Sequence, residues 1–354
     1  MTTPSANSVQ QADRNSAGKA IALKTVAVVG ATGAVGAEML RCLERSPFPT
    51  GTLKAFASER SVGKRLAFRD GEVELGALSD SAFEGVDVVL FASETDISKQ
   101  YVPIAVKAGA YAIDNSSAFR MDPKTPLVVP EVNGELITPN QKIYANPNCV
   151  AAIMAVALWP LHQQAKITRI IASTYQSASG AGAAAMEELE VSTRAYLKGE
   201  AYEPKVLPHP YAFNLFSHNT SIGADGYNSE ETKVIAEMRK IMGLPNLRVG
   251  VTCVRVPVLR AHSMAITVEF KDKLAVDAAR ALLSKAPGVK VVDDRVGNHF
   301  PMPVESSGQY DVLVGRIRED LSDPTGHTLA IFISGDQLLK GAALNAVQIA
   351  ERLV

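Results

Sequence analysis

Cys149 stands in the stretch YANPNCVAAIM, between Asn148 and a run of small apolar residues. A thiol at the start of a helix is a candidate nucleophile, because the dipole and free N–H groups there favour the thiolate. Free cysteine is also among the most buried residue types, and is then inert. The stretch alone leaves both readings open. Other side chains could work with such a thiol. Arg120, in DNSSAFRMD, lies just past a strand end, where open α/β sheets bind ligands; alone it is as readily a surface residue. Glu230 and Lys233, in NSEETKVIAEMRK, share one helix face, either as a ligand-binding pair or as a solvated one worth roughly tenths of a kcal/mol. Gln176 ends a strand in TYQSASGAGAAAMEE, ahead of a small-residue loop. Arg255 and His262 bracket the connection in RVPVLRAH. Their odd spacing sends them to opposite faces of one strand, so both reach a common site only if the chain turns at Pro257. A lone histidine is more often structural, and His162, His209, His218, His299 and His327 give the chain five others.

A second chemistry comes from glycine. VVGATGAVG places Gly30, Gly33 and Gly36 after an apolar, β-branched run and before helical spacing. Such a turn lets backbone N–H groups approach a pyrophosphate at a helix N-terminus. The spacing is GxxGxxG, looser than the usual dinucleotide fingerprint. At the end of the next strand, FASERSVGK offers Ser58 and Arg60 to a 2′-phosphate, which favours NADP. Glu59 is the nearest acid, so NAD stays open, as does a plain solvated turn.

The elements that must position these residues fall into two regions. Strand patterns at 25–30, 52–58, 86–93 and 110–116 alternate with helical ones, including 97–108, and LAFRDGEVELGAL reads as a hairpin around Asp70-Gly71. PLVVPEVN and KIYANPN complete this region. The alternation implies a doubly wound, Rossmann-like parallel sheet. After a helix over 149–163 come long alternating strands at 167–177, 247–256 and 262–270, with helices at 183–198 and 229–242. That pattern implies an α+β domain with a mainly antiparallel sheet. The segment 200–228 is rich in Pro and aromatics without a period, and reads as an extended arm or interface element. We expect a flexible tail at 1–23, a dinucleotide domain at 24–148 joined by a returning helix at 337–354, and a catalytic and dimerisation domain at 149–336.

Composition limits the function classes. With 354 residues, a net charge of −1, 47% apolar and 21% charged residues, the chain has no basic field for nucleic acid. Its apolar runs break well before the roughly 18 residues a membrane span needs. Cys42, Cys149 and Cys253 are odd in number, far apart and without a CxxC. A disulfide framework or metal site is therefore not expected, and a reducing, cytoplasmic setting fits. The first 23 residues lack a secretory core; a transit remnant, and hence the plastid stroma, is the weaker alternative.

In chain order, GATGAVG, DNSSAFR, VVPEVN, NPNC, TYQSASGAG, RVPV…H and KGAALNAVQIAE resemble the aspartate-β-semialdehyde dehydrogenases, from Lys24 to Val354. The resemblance implies an NADP-dependent, phosphorylating aldehyde dehydrogenase. Such an enzyme reduces L-4-aspartyl phosphate to L-aspartate 4-semialdehyde and inorganic phosphate through a cysteine thioester, on the route to lysine, threonine and methionine. It implies Cys149 as the nucleophile, His262 as the acid/base that accepts the thiol proton, and Gln176 as the group orienting substrate and histidine. Arg255 would hold the substrate α-carboxylate, Glu230 its ammonium, Arg120 and Lys233 the phosphate, and Asn148 the thiol and intermediate. Cofactor contacts would come from Gly30, Thr32, Gly33, Ala34, Val35 and Gly36 of the glycine turn. Ser58, Arg60 and Ser93 follow from the next strand ends, and Ser179, Gly180 and Gly182 from the small-residue loop, with Asn345 on the returning helix. The assembly implied is a homodimer or dimer of dimers.

Two departures from the family pattern stand out. Val150 and Ala151 follow the cysteine where a hydroxyl is common, which bears on the tuning of the thiol. FASETDISK, with an acidic Glu94, replaces a glycine-containing loop. N-acetyl-γ-glutamyl-phosphate reductase shares the chemistry but lacks the TYQSASGAG and RVPV…H context. A sugar-phosphate dehydrogenase fits poorly with the Glu230/Arg255 pair, and a non-catalytic cofactor-binding paralogue fits poorly with a retained Cys149.

Overall fold

The computed structural model describes residues 22–353, so the tail expected at 1–23 lies almost wholly outside the described residues. The chain opens with β1 (Lys24–Val29), α1 (Ala34–Arg45), β2 (Thr50–Phe56) and the hairpin β3 (Arg65–Phe68) and β4 (Gly71–Gly76). Next come β5 (Val88–Phe91), α2 (Thr95–Lys107), β6 (Tyr111–Asp114), the helical turn α3 (Pro130–Asn133) and β7 (Ile143–Ala145). These strands form one sheet in the order β3-β4-β2-β1-β5-β6-β7, parallel except for the β3–β4 hairpin. Alternation decides which layer each side chain joins. Val26 and Val28 of β1 face α1, whereas Ala27 and Val29 face α2. A strand covered on both faces needs an unbroken apolar run, and β5 has one in VVLF, buried throughout.

PLVVPEVN departs from a strand reading. Leu127 makes one bridge to Ala145, and the chain then turns into α3. Pro130 has no N–H to extend a ladder, and the Asn133 side chain accepts the Val129 N–H instead.

The second region contains α4 (Cys149–Ala165), β8 (Ile167–Gln176), α5 (Ala183–Leu197), β9 (Phe216–Ser217), α6 (Ser229–Ile241), β10 (Arg248–Arg255) and β11 (His262–Phe270). It continues through α7 (Val276–Leu283), β12 (Val289–Val291), α8 (Pro303–Ser306), β13 (Val312–Glu319) and β14 (Thr328–Gly335), and the chain ends in α9 (Leu344–Glu351). The sheet order is β12-β13-β14-β11-β8-β10-β9. Four of its pairings are antiparallel. The β8–β10 and β12–β13 pairs are parallel. Strand β10 runs with β8 because α6 lies between them in the chain and carries it back across the sheet. Helix α4 is apolar on nearly every side, as a buried helix must be, and packs with α6 and α7 over one face of this sheet. The other face leaves Ile171 and Tyr175 about 40% and 39% exposed.

Past β14 the chain crosses back. A π-helical turn, Leu339–Ala343, leads into α9, and both bury side chains in the core around β1 and α1. Arg260 clamps this crossing, pairing with Asp336 and with Glu38 of α1 at 2.7 Å each.

Candidate active site

Cys149 is the first residue of α4, and Asn148 is its N-cap. The Asn148 side-chain oxygen accepts the N–H groups of Val150 (2.9 Å) and Ala151 (3.3 Å). Its amide donates to Glu230 (2.8 Å), and its backbone N–H donates to Glu237 (2.6 Å). The thiol opens into a cavity of about 310 Å³ that Arg120, Gln176, Gly180, Glu230, Lys233 and Arg255 also line. Cys42 and Cys253 are buried away from it.

The turn demanded at Pro257 is present. Val258 N–H bonds back to Val256 O at 2.7 Å, and Ala261 takes a φ of 72° before β11 starts. Arg255 and His262 thereby converge from two strands. A Cβ built on Gly180 would stand 3.0 Å from His262 Nε2 and 3.1 Å from Arg255 Nη1, so only glycine fits between them.

Burial pushes the Cys149 thiol up to about 12, and the Glu230 carboxylate adds to the rise; Arg120 and Arg255 oppose it and lose. A thiol lowered by its helix N-terminus is therefore not what the site holds. The Val150 N–H, shared with the Asn148 cap, also pulls the thiol down, less than the two arginines do, and the Ala151 N–H goes to the cap. His262 is held well below its ordinary value by burial and by Arg255. The Ser177 N–H donates to its Nδ1 at 3.0 Å. A backbone N–H can only donate, so Nδ1 is the acceptor and the proton sits on Nε2, which is buried and unpartnered. The imidazole thus presents a donor, which differs from the expected acceptor of the thiol proton. Burial raises the Glu230 carboxyl, yet it ends below its ordinary value: a protonated His218 would favour the anion most, and with that ring neutral the Asn148 and Gln176 amides and the Lys233 ammonium do so.

The cations differ in their company. Arg120 pairs with Glu237 at 3.2 Å and donates to the carbonyls of Asn146 and Asn115. Burial raises Glu237, with Arg120 and the Asn148 N–H pulling it back. One carboxylate therefore ties Arg120 to the cap of the thiol's helix. Arg255 donates only to neutral acceptors: Ser177 O (3.0 Å), His218 Nε2 (2.7 Å) and Asn219 Oδ1 (3.3 Å). Its Nε is buried without a partner.

On the side of the glycine turn, Gly30 has a φ of 81°, and a Cβ there would meet Ala92 O at 2.5 Å. A Cβ on Gly36 would collide with Gly30 O, so helix α1 packs this close only with glycine. Thr32 and Gly33 are exposed at the turn, Ala34 begins α1, and Val35 reaches the thiol's cavity. A neighbouring cavity of about 340 Å³ is lined by Gly30, Ser58, Glu59, Ser93 and Tyr101. Arg60 is exposed on the short turn Glu59–Ser61 and does not line it. Ser179 is buried, and Gly182, with a φ of 91°, starts α5. Glu94 is exposed at the start of α2 and stays out of that cavity. Asn345 donates to Val128 O and Asn146 Oδ1, leaving its own Oδ1 buried without a donor. That orphaned acceptor lines neither cavity; the backbone-filled Cβ positions of Gly30 and Gly36 give the close turn that suits the pyrophosphate of a nicotinamide dinucleotide.

The structure adds residues that sequence reasoning missed. Glu237 was legible in principle: it lies one turn beyond Lys233, on the face of α6 that buries Glu230 and Val234. Ser177, Asn146 and His218 sit in loops and an arm with no periodicity to mark them. Gly341 is a further case. A Cβ on it would stand 2.8 Å from the Cys149 Cβ, so the π-helical turn packs directly on the thiol residue.

Comparison with known proteins agrees with this geometry. A family model described as the NAD binding domain of semialdehyde dehydrogenase matches residues 25–139, and one described as its dimerisation domain matches 158–340. The aspartate-semialdehyde dehydrogenase of Synechocystis sp. is 52% identical over 329 residues, covering 93% of this chain and 97% of that protein. The one from Prochlorococcus marinus is 47% identical, covering 93% and 96%. Among solved structures, aspartate semialdehyde dehydrogenase II of Vibrio cholerae complexed with ASA superposes with a TM-score of 0.89 at 39% identity, covering 94% and 98%. With both models matched in chain order and relatives aligned over nearly their full length, the chain belongs to the aspartate-semialdehyde dehydrogenase family.

Proposed function

We propose that the chain converts L-4-aspartyl phosphate and L-aspartate 4-semialdehyde into one another, as an NADP-dependent oxidoreductase acting through Cys149. The observation that carries this reading is one cavity holding a thiol at the first position of a helix, three cations and a buried carboxylate. Arg255, with a free Nε–H, takes the substrate α-carboxylate, and Glu230 takes its ammonium. A buried anion favours a free α-ammonium over an N-acetyl group, which separates this substrate from its N-acetylglutamyl counterpart. Arg120 and Lys233 supply two cations for a phosphate dianion.

When the ammonium meets Glu230, it neutralises the anion that most opposes thiolate formation after burial itself. Cys149 then attacks the acyl carbon: the C–S bond forms, the acyl C–O bond breaks, and the departing phosphate, held by Arg120 and Lys233, carries the thiol proton away as hydrogen phosphate. The developing oxyanion is met by the Cys149 N–H on the helix side; the His262 Nε2–H, buried beside Gly180, lies outside the cavity's lining and reaches it only if the Gly180 loop shifts. Gln176, donating to Glu230 at 3.2 Å, holds that carboxylate against the substrate. A bound dinucleotide would supply or take the hydride. Asn345 would offer its free Oδ1 to the carboxamide, the glycine turn its backbone to the pyrophosphate, and Ser58 and Arg60 their side chains to a 2′-phosphate.

The dimerisation family model, the open face of the second sheet and the apolar residues on α5 support assembly as a homodimer or dimer of dimers. No helix among the described residues is long and apolar enough to cross a membrane. Three free cysteines suit a reducing cytoplasm, and the bacterial relatives lend the plastid alternative no support. The product would feed the branch to lysine, threonine and methionine.

A paired assay tests the reading. With phosphate present, aspartate semialdehyde should reduce NADP⁺ and N-acetylglutamate semialdehyde should not; the reverse preference would select the other reductase. Cys149→Ala should abolish turnover while still binding NADP(H).

A further inference from the structure

We propose that His218 is a positioning residue for substrate recognition: a neutral acceptor that fixes the Arg255 guanidinium while leaving its positive charge whole for the substrate carboxylate. The inference rests on the reading of Arg255 given above. His218 belongs to the arm between α5 and α6, in no motif, and its ring lines the thiol's cavity.

Its tautomer is set from both sides. A guanidinium has no lone pair to offer, so the 2.7 Å contact with Arg255 Nη2 makes His218 Nε2 the acceptor. The ring proton then sits on Nδ1 and is donated to Thr220 Oγ1 at 3.3 Å. The same hydroxyl accepts the Glu230 N–H at 3.2 Å. The His218 N–H is anchored on Cys253 O of β10 at 2.9 Å. Residues 218–220 therefore tie the carboxylate-binding cation to the ammonium-binding anion and set the spacing between them.

The imidazole stays neutral at working pH, since burial, joined by Arg255 and Lys233 and opposed by Glu230, lowers it to about 4. Neutrality is the point of the arrangement. Arg120, beside Glu237, is partly cancelled before any ligand arrives. Arg255 is oriented by a carbonyl, an imidazole and an amide, none of which competes for its charge. A carboxylate at position 218 would orient the guanidinium equally well and occupy it.

Steady-state kinetics of His218→Leu, His218→Gln and His218→Glu in the full chain test this, with melting temperature and NADP affinity as checks on folding. His218→Leu should raise KM for aspartate semialdehyde about tenfold, as expected for a lost hydrogen bond to a charged group. His218→Gln, keeping a neutral acceptor, should recover most of that loss. His218→Glu should raise KM beyond the leucine variant although it keeps an acceptor, with KM for phosphate unchanged in the leucine and glutamine variants. Equal KM values for the glutamine and glutamate variants would overturn the proposal, even if the leucine variant failed to fold. Arg255→Met separates the two levels. If it raises KM while the His218 variants do not, the proposal falls and the reading of Arg255 stands. If Arg255→Met leaves KM unchanged, both fall.

Discussion

Cys149, the proposed nucleophile, is held in reserve by its surroundings. Burial and Glu230 raise its thiol to about 12, so in the enzyme alone the thiolate fraction grows about tenfold per pH unit across the neutral range. The alkylation rate of Cys149 by iodoacetamide should therefore climb with unit slope from pH 6 to 9.5. A plateau near 8.5, the value of an ordinary thiol, would show that the helix N-terminus wins after all. Adding a substrate analogue with an α-ammonium should accelerate the reaction at fixed pH. This also shows what was legible at the level of residues. The place of the cysteine at a helix start, in one cavity with Arg120, Gln176, Glu230 and Arg255, could be read from NPNC and its partners, because motifs encode residue types. Its protonation could not, because that depends on how many dipoles and charges the fold packs around it. The same holds for His262, whose tautomer is decided by the backbone of Ser177, a position with no side-chain signature.

At the scale of elements, periodicity exposed the strands and helices on which the site stands. Strands β8, β10 and β11 and helices α4, α5 and α6 could be read within a residue or two, whereas β13 and β14, as long as β10, were missed. The parallel pairing of β10 with β8 could not, since alternation records which face is buried and says nothing of direction. The arm before α6 was equally opaque: it is held by side chain to backbone bonds, such as Glu188 accepting the N–H groups of Lys205, Val206 and Leu207. The π-helical turn looked like ordinary helix, yet it matters most to the thiol. Gly341→Ala would place a methyl 2.8 Å from the Cys149 Cβ. Alanine gains about 1 kcal/mol of helix propensity over glycine. Overpacking costs about 1–3 kcal/mol, so the fold should survive. The start of α4 must give way, however, and kcat should fall by up to about 10²-fold with little change in melting temperature. Wild-type turnover in that variant would refute the close packing.

For the molecule as a whole, exposed apolar side chains gather in the second region. Tyr196 and Leu197 at the end of α5 are 62% and 71% exposed, and Phe213 and Leu215 of the arm are 64% and 63% exposed. So much apolar surface on one domain is what an interface between copies requires. Leu197→Arg with Phe213→Asp should shift the particle toward monomer mass in light scattering. An unchanged mass would place the contact elsewhere. The returning C-terminal segment bears on biosynthesis. Leu339, Leu344, Val347 and Ile349 fill the core beneath β1 and α1, the first elements to be made. The first sheet therefore cannot close its own interior until the segment Leu339–Glu351 has been made, about three hundred residues after β1. Strand β1 and helix α1 must wait, open on one side, for that segment. Completion of the dinucleotide cradle and closure of the turn over Cys149 then become a single late event, so a chain cut short near its end lacks both.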